Sequence, residues 1–93
     1  MTEHVTYQLD KISDISKSEA IHEKLESFLN SGSEIRIDAS QVDRIDTAVL
    51  QMLISLSRTL EKQHLSAPII NPSDNFMSTV KLMGVKEHLK IEY

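Results

Sequence analysis

Residues 35–60 read IRIDASQVDRIDTAVLQMLISLSRTL, and this stretch divides into a strand, a short loop and a helix with the pair Asp46-Thr47 at the joint. Ile35 and Ile37 alternate with polar neighbours as a strand with one buried face requires. Ala39 to Ile45 reads as loop, and the apolar spacing that follows predicts a helix over Thr47 to Gln63. At about 100° per residue, Val49, Leu50, Leu53, Leu56 and Leu60 fall within one stripe of about 120°, which is the expected core face. Thr47, Gln51, Ile54 and Arg58 gather on the adjoining face, where neighbours three and four apart meet. The stripe does not need Ile54 among these polar residues. Two readings follow: a docking surface for a partner, or packing beneath the first helix or a loop.

Outward from this unit, Val5-Thr6-Tyr7-Gln8-Leu9 alternates as a half-exposed first strand, and Lys11 to Ile15 is expected to pair back on it as a short hairpin. Ser16 and Glu19 have capping-box spacing, after which Ala20, Ile21, Leu25, Phe28 and Leu29 share one helical face until Gly32 stops the helix. Ala67 to Ile70 reads as a further strand. Asn71-Pro72-Ser73-Asp74 is a helix start with Pro at or near the first position, and Gly84 after Leu82-Met83 is its stop. A last strand or short helix lies between Val85 and Ile91. Strands alternating with helices imply an α/β fold with a mixed, mostly parallel sheet of four to five strands and right-handed crossovers.

Composition narrows the function. Ninety-three residues with 40% hydrophobic content give room for one core, so residues 1–93 are read as a single domain. A formal net charge of -4, with Lys and Arg spread singly, offers no electrostatic footprint for nucleic acid or an anionic membrane. No cysteine means no disulfide framework and no thiolate metal site. The N-terminal MTEHVTYQLD lacks a basic region followed by an apolar run, and no segment is long enough to span a membrane, so a cytoplasmic protein is expected.

Enzyme chemistry finds little support. Asp38, Asp43 and Asp46 are carboxylates near a strand end, but no glycine-bearing calcium loop accompanies them, and two glycines cannot build a phosphate cradle. Capping by Asp46 or Thr47 and turn formation at Asp43 account for these residues. His4, His22, His64 and His88 fall in four separate segments, with His22 and His64 expected at the solvated surface. No catalytic residue, metal ligand or cofactor site is expected.

In IRIDASQVDRIDTAVLQML the chain resembles the STAS domains, the family of sulfate transporters and anti-sigma-factor antagonists: a hydrophobic strand ending in Asp, a short loop, and an apolar-Asp-Ser/Thr motif opening a helix. Leu9 followed by Asp14 is similar to the family's strand and acidic loop, and NPSDNFMSTVKLMGV to its third helix with the terminal Met-Gly turn. The resemblance implies a stand-alone, non-catalytic bacterial signalling domain of the anti-sigma-factor-antagonist type. Its partner would be a Ser/Thr kinase or anti-sigma factor of histidine-kinase-like ATPase fold, in stress or chemotaxis signalling. It further implies that Thr47, directly after the motif Asp, is the phosphoacceptor, with Asp14 and Asp46 as the acidic residues around it. Val49, and Lys11 or a neighbour, stand where the family commonly has glycine. Stand-alone members with an Asp-Thr motif also resemble the small cytoplasmic subunit of lipid-asymmetry transporters, and the partner would then be an ABC ATPase. Asp14, Asp46, Thr47, Gln51, Ile54 and Arg58 form the expected partner surface, and Ile54 with Met52 can equally serve a homodimer.

Overall fold

The computed structural model describes residues 4–31 and 34–92. In chain order the elements are β1 (His4–Gln8), β2 (Ile12–Ser13), a 3-10 turn (Ile15–Lys17), α1 (Ser18–Ser31), β3 (Glu34–Asp38), β4 (Arg44–Ile45), α2 (Thr47–Lys62), β5 (Ile69–Ile70), α3 (Asp74–Met83), a 3-10 turn (Lys86–His88) and β6 (Ile91–Glu92). The main sheet has the order β1-β3-β5-β6, and β2 with β4 forms a separate pair. Every ladder among the described residues is parallel.

The alternation in the strands explains how the layers are arranged. Ile35 and Ile37 are buried while Arg36 is exposed, and in β1 the half-buried Val5 and Tyr7 alternate with exposed Thr6 and Gln8. Only one face of the sheet is therefore covered. Parallel sheets are ordinarily covered on both faces and carry continuous apolar strands. Here each β-α-β step moves one place in the same direction, and right-handed crossovers then set all three helices on one side. Leu9, Ile35, Ile37, Ile69, Phe76 and Val80 are essentially inaccessible in the layer between. Tyr7 meets Phe28 of α1 edge to face, with ring centroids 5.8 Å apart.

Several local expectations are corrected. Lys11 to Ile15 makes no hairpin with β1. Leu9 N–H still donates to Asp38 O (2.9 Å), extending the β1 ladder, and the chain then runs on in the same sense, so that Ile12 and Ser13 pair parallel with Arg44 and Ile45. The presumed loop before α2 thus contains a strand. Ser16 does not cap α1, because its hydroxyl and amide both donate to Asp14, which caps the 3-10 turn ahead of the helix. Pro72 precedes the cap of α3 and is not its first residue. Ser73 is that cap, accepting from Phe76 N–H at 3.0 Å. Residues 66–70 do lie along β3, but Pro68 has no N–H to return to it, and the regular pairing shrinks to Ile69–Ile70. Gly84 ends α3 at φ +67, the left-handed conformation that glycine adopts without strain. The expected stop at Gly32 lies outside the described residues.

Candidate functional site

The pole of the molecule at the start of α2 is assembled by the small β2–β4 pair. Lys11 O accepts from the amides of Asp43 (2.8 Å) and Arg44 (3.0 Å), and Ser13 O accepts from Asp46 N–H (3.0 Å). The Ser13 side chain is fully buried, its hydroxyl donating to Asp10 O at 3.0 Å. This clip lays the loop that carries Asp14 and Ile15 beside the start of α2.

Asp46 occupies the N-cap position of α2 in extended conformation, and its carbonyl accepts the first helical bond from Leu50 N–H at 3.1 Å. Its carboxylate does not cap the helix. Instead Oδ2 accepts from Ile15 N–H at 3.2 Å, and Oδ1 lies 3.6 Å from Arg44 Nε. The expectation that Asp46 or Thr47 caps α2 through its side chain is therefore corrected, since the acid is used to hold the Asp14 loop. Thr47 is the first residue of the helix and is exposed, and its hydroxyl donates weakly to Met83 Sδ at 3.7 Å.

Asp14 stands on the same loop. Its carboxyl is held below the usual aspartate range, chiefly by the Ser16 hydroxyl; desolvation opposes this, and the Ser16 amide and the charges of Lys17 and Arg44 add to the lowering. A carboxyl whose folded value lies below its unfolded value stabilises the fold above the unfolded value and loses that contribution as pH falls through the folded one. Wild type and Asp14→Ala, compared by denaturant unfolding, should therefore differ fully at neutral pH. The difference should close as pH drops below the ordinary aspartate value of 3.8. A difference that does not vary with pH contradicts this role for the acid.

Of the expected partner residues, Asp14, Asp46 and Thr47 come together at this pole. Gln51 and Arg58 are exposed further along α2, where Arg58 Nη2 lies 3.4 Å from His88 Nδ1. Ile54 is not part of that surface, being 4% exposed. Thr47 and Arg58, on the same edge of α2 as Ile54, touch Met83 at the end of α3 and His88 beyond it, so this edge faces the C-terminal part of the chain. A dimer contact through exposed Ile54 is excluded for the same reason. Met52, on the opposite edge, is partly buried in a groove of about 380 Å³ between α1 and α2 that Gln51 also lines.

Two exposed apolar residues that the sequence did not mark, Ile15 and Met83, also border the candidate site. Ile15, whose amide meets Asp46, is 67% exposed, and Met83, whose sulfur meets Thr47, is 39% exposed. Leu82, 85% exposed, lies beside Met83. The periodicity of α3 carried part of this signal: with Phe76 and Val80 as its core positions, Leu82 falls about 200° from Val80 and points away from the core.

Asp38 accepts from Ser40 N–H at 2.8 Å, while Asp43 is exposed. Among the described residues no three His, Asp or Glu side chains are grouped as metal ligands would be. No helix among them is long and apolar enough to cross a membrane.

A family model described as "Mlab, STAS domain" matches residues 3–92. Among solved structures, the crystal structure of the Thermotoga maritima protein TM1081, described as a proposed anti-sigma factor antagonist, superposes with a TM-score of 0.81 at 19% identity, covering 95% of this chain and 77% of that one. The NMR structure of TM1081 gives the same score and identity over 96% and 73%. At this identity the likeness speaks for the fold. No curated protein matches the sequence.

Proposed function

The chain belongs to the Mlab, STAS domain family, and on that footing we propose that it is a non-catalytic, anti-sigma-factor-antagonist-like signalling module. It docks a protein partner at the start of α2, and phosphorylation of Thr47 controls that docking. The observation that carries this reading is the environment of Thr47: an exposed hydroxyl at a helix start, flanked by the exposed apolar residues Ile15 and Met83 and by the acids Asp46 and Asp14.

A partner that covers this pole removes Ile15 and Met83 from water, and burying such side chains is the main source of favourable docking energy. Phosphorylation places a charge of about -1.5 to -2 in the middle of that surface. The helix start tolerates the phosphate, since its first amides have no partner within the helix and its dipole favours negative charge. The partner must then bury or match the charge.

The modifying enzyme in this reading is a Ser/Thr kinase, with a histidine-kinase-like ATPase fold, that docks at the same pole. The γ-phosphoryl group of ATP passes to Thr47 Oγ1, ADP leaves, and the hydroxyl proton goes to a base on the kinase. Incubating the chain and its co-purified partner with labelled ATP should label the wild type and not Thr47→Ala. Label retained on Thr47→Ala, or a partner with kinase activity that leaves Thr47 unmodified, overturns the assignment.

A second reading is supported by the same apolar surface, because Ile15 and Met83 need no phosphate to dock. The chain is then a constitutive accessory subunit of a lipid-transport ABC transporter, with Thr47 as a plain contact to the ATPase. Stable co-purification with an ABC ATPase, with Thr47 unmodified, distinguishes it.

A further inference from the structure

Arg44 is the cation paired with Asp46, the residue directly before Thr47. Its Nε lies 3.6 Å from Asp46 Oδ1, and its charge also reaches the Asp14 carboxyl. In the extended chain entering α2, alternate residues point the same way. Ile45 is buried, so Arg44 and the partly buried Asp46 lie on the other side of the strand, immediately before Thr47. The Arg44 side chain is 69% exposed. An ion pair that long and that exposed holds its partners weakly, so the guanidinium is available to a stronger acceptor.

The neighbouring elements offer other cations. Lys17, on the Asp14 loop, pairs with Asp10 at 3.7 Å, and Lys81 is exposed in the last turn of α3, near Met83. Neither touches Asp46. A phosphate on Thr47 adds a dianion beside two carboxylates, and a planar guanidinium can take two of its oxygens at once, which an ammonium cannot do.

Resting on the reading of Thr47 as phosphoacceptor, we propose that Arg44 is the internal receptor of the phosphate. On modification the guanidinium leaves Asp46 and pairs with the phosphothreonine. The phosphorylated pole then presents an ordered Arg–phosphate pair, and Asp46 keeps its bond from Ile15 N–H.

The test uses the full chain with phosphothreonine installed at position 47 by chemical ligation, titrated by phosphorus NMR. The second phosphate ionisation, ordinarily near pH 6, should lie lower in the wild-type background than in Arg44→Gln by about 0.5 to 1 pH unit. Arg44→Lys should keep part of the shift, and Lys81→Gln should leave it unchanged. Coincident titrations of wild type and Arg44→Gln overturn the proposal, as does loss of the shift in Lys81→Gln alone. The amide spectrum of unmodified Arg44→Gln shows whether the fold is intact; if it is not, Arg44→Lys carries the comparison. Because no kinase is needed, the two readings fail separately. A chain that its partner never phosphorylates, but whose titrations differ as stated, overturns the phosphoacceptor assignment and leaves Arg44 in place.

Discussion

Thr47→Glu should weaken binding of the protein partner by about 2 to 4 kcal/mol, roughly thirtyfold to a thousandfold, while leaving the fold intact. The two halves of this expectation have separate causes. In the free chain the new carboxylate sits exposed at the start of a sixteen-residue helix, where negative charge is favourable by a few tenths of a kcal/mol. In the complex the same carboxylate lies among Ile15, Met83, Asp46 and Asp14. It must then be desolvated together with Arg44, the cation paired with Asp46, and taking both ions out of water at an interface costs more than their attraction returns. Calorimetric titration of wild type and Thr47→Glu with the purified partner measures the difference, and thermal unfolding checks the fold. Thr47→Val, which keeps the shape and removes the hydroxyl, should bind within about threefold of wild type. The contact with Met83 that it loses is long and weak.

Ile54→Ala should cost about 2 to 5 kcal/mol of folding stability, the range for truncating a buried aliphatic side chain. A domain of this size holds about 5 to 15 kcal/mol in total, so the loss lowers the melting temperature by about ten degrees or more. Gln51→Ala, one turn earlier and exposed, should change stability by less than about 0.5 kcal/mol. The pair separates core from surface on one helix. If Ile54→Ala kept its stability and lost partner binding instead, the chain after α3 would not cover that edge of α2.

Ile54 also marks where the sequence stops being readable. The stripe Val49, Leu50, Leu53, Leu56 and Leu60 was legible because a helix packed on a sheet repeats its buried face every three to four residues, and each of these is buried. A second packed edge breaks that period. α2 buries Ile54 and Ser57 as well, because the residues after Gly84 return along it, and that contact is set by tertiary path. The β2–β4 pair was illegible for a related reason. Two-residue strands carry no period, and Lys11 to Ile15 has the local look of a hairpin arm until its partner, thirty-two residues further on for Ile12, is known. The helix stop at Gly84 read better, because its positive φ and its amide bonds to Val80 and Lys81 are local in sequence.

At the site, the Asp46-Thr47 joint and the acid at Asp14 were legible as a motif, and the fold brings them to one pole. The use of Asp46 was not. An aspartate before a helix signals a cap, and only the folded chain places Ile15 N–H and Arg44 where they compete for its carboxylate. Ile15 and Met83 stayed hidden because each sits at an element end, where exposure depends on what lies across from it.

The central claim is that phosphate on Thr47 turns docking off, and it is tested most directly by comparing two forms of the same chain. The chain carrying phosphothreonine at position 47, and the unmodified chain, are titrated into the partner that co-purifies from the native cell. The account predicts at least about a hundredfold weaker binding for the phosphorylated form, with both forms equally folded. Equal affinities for the two would contradict it and would leave Thr47 an ordinary contact residue in a constitutive complex.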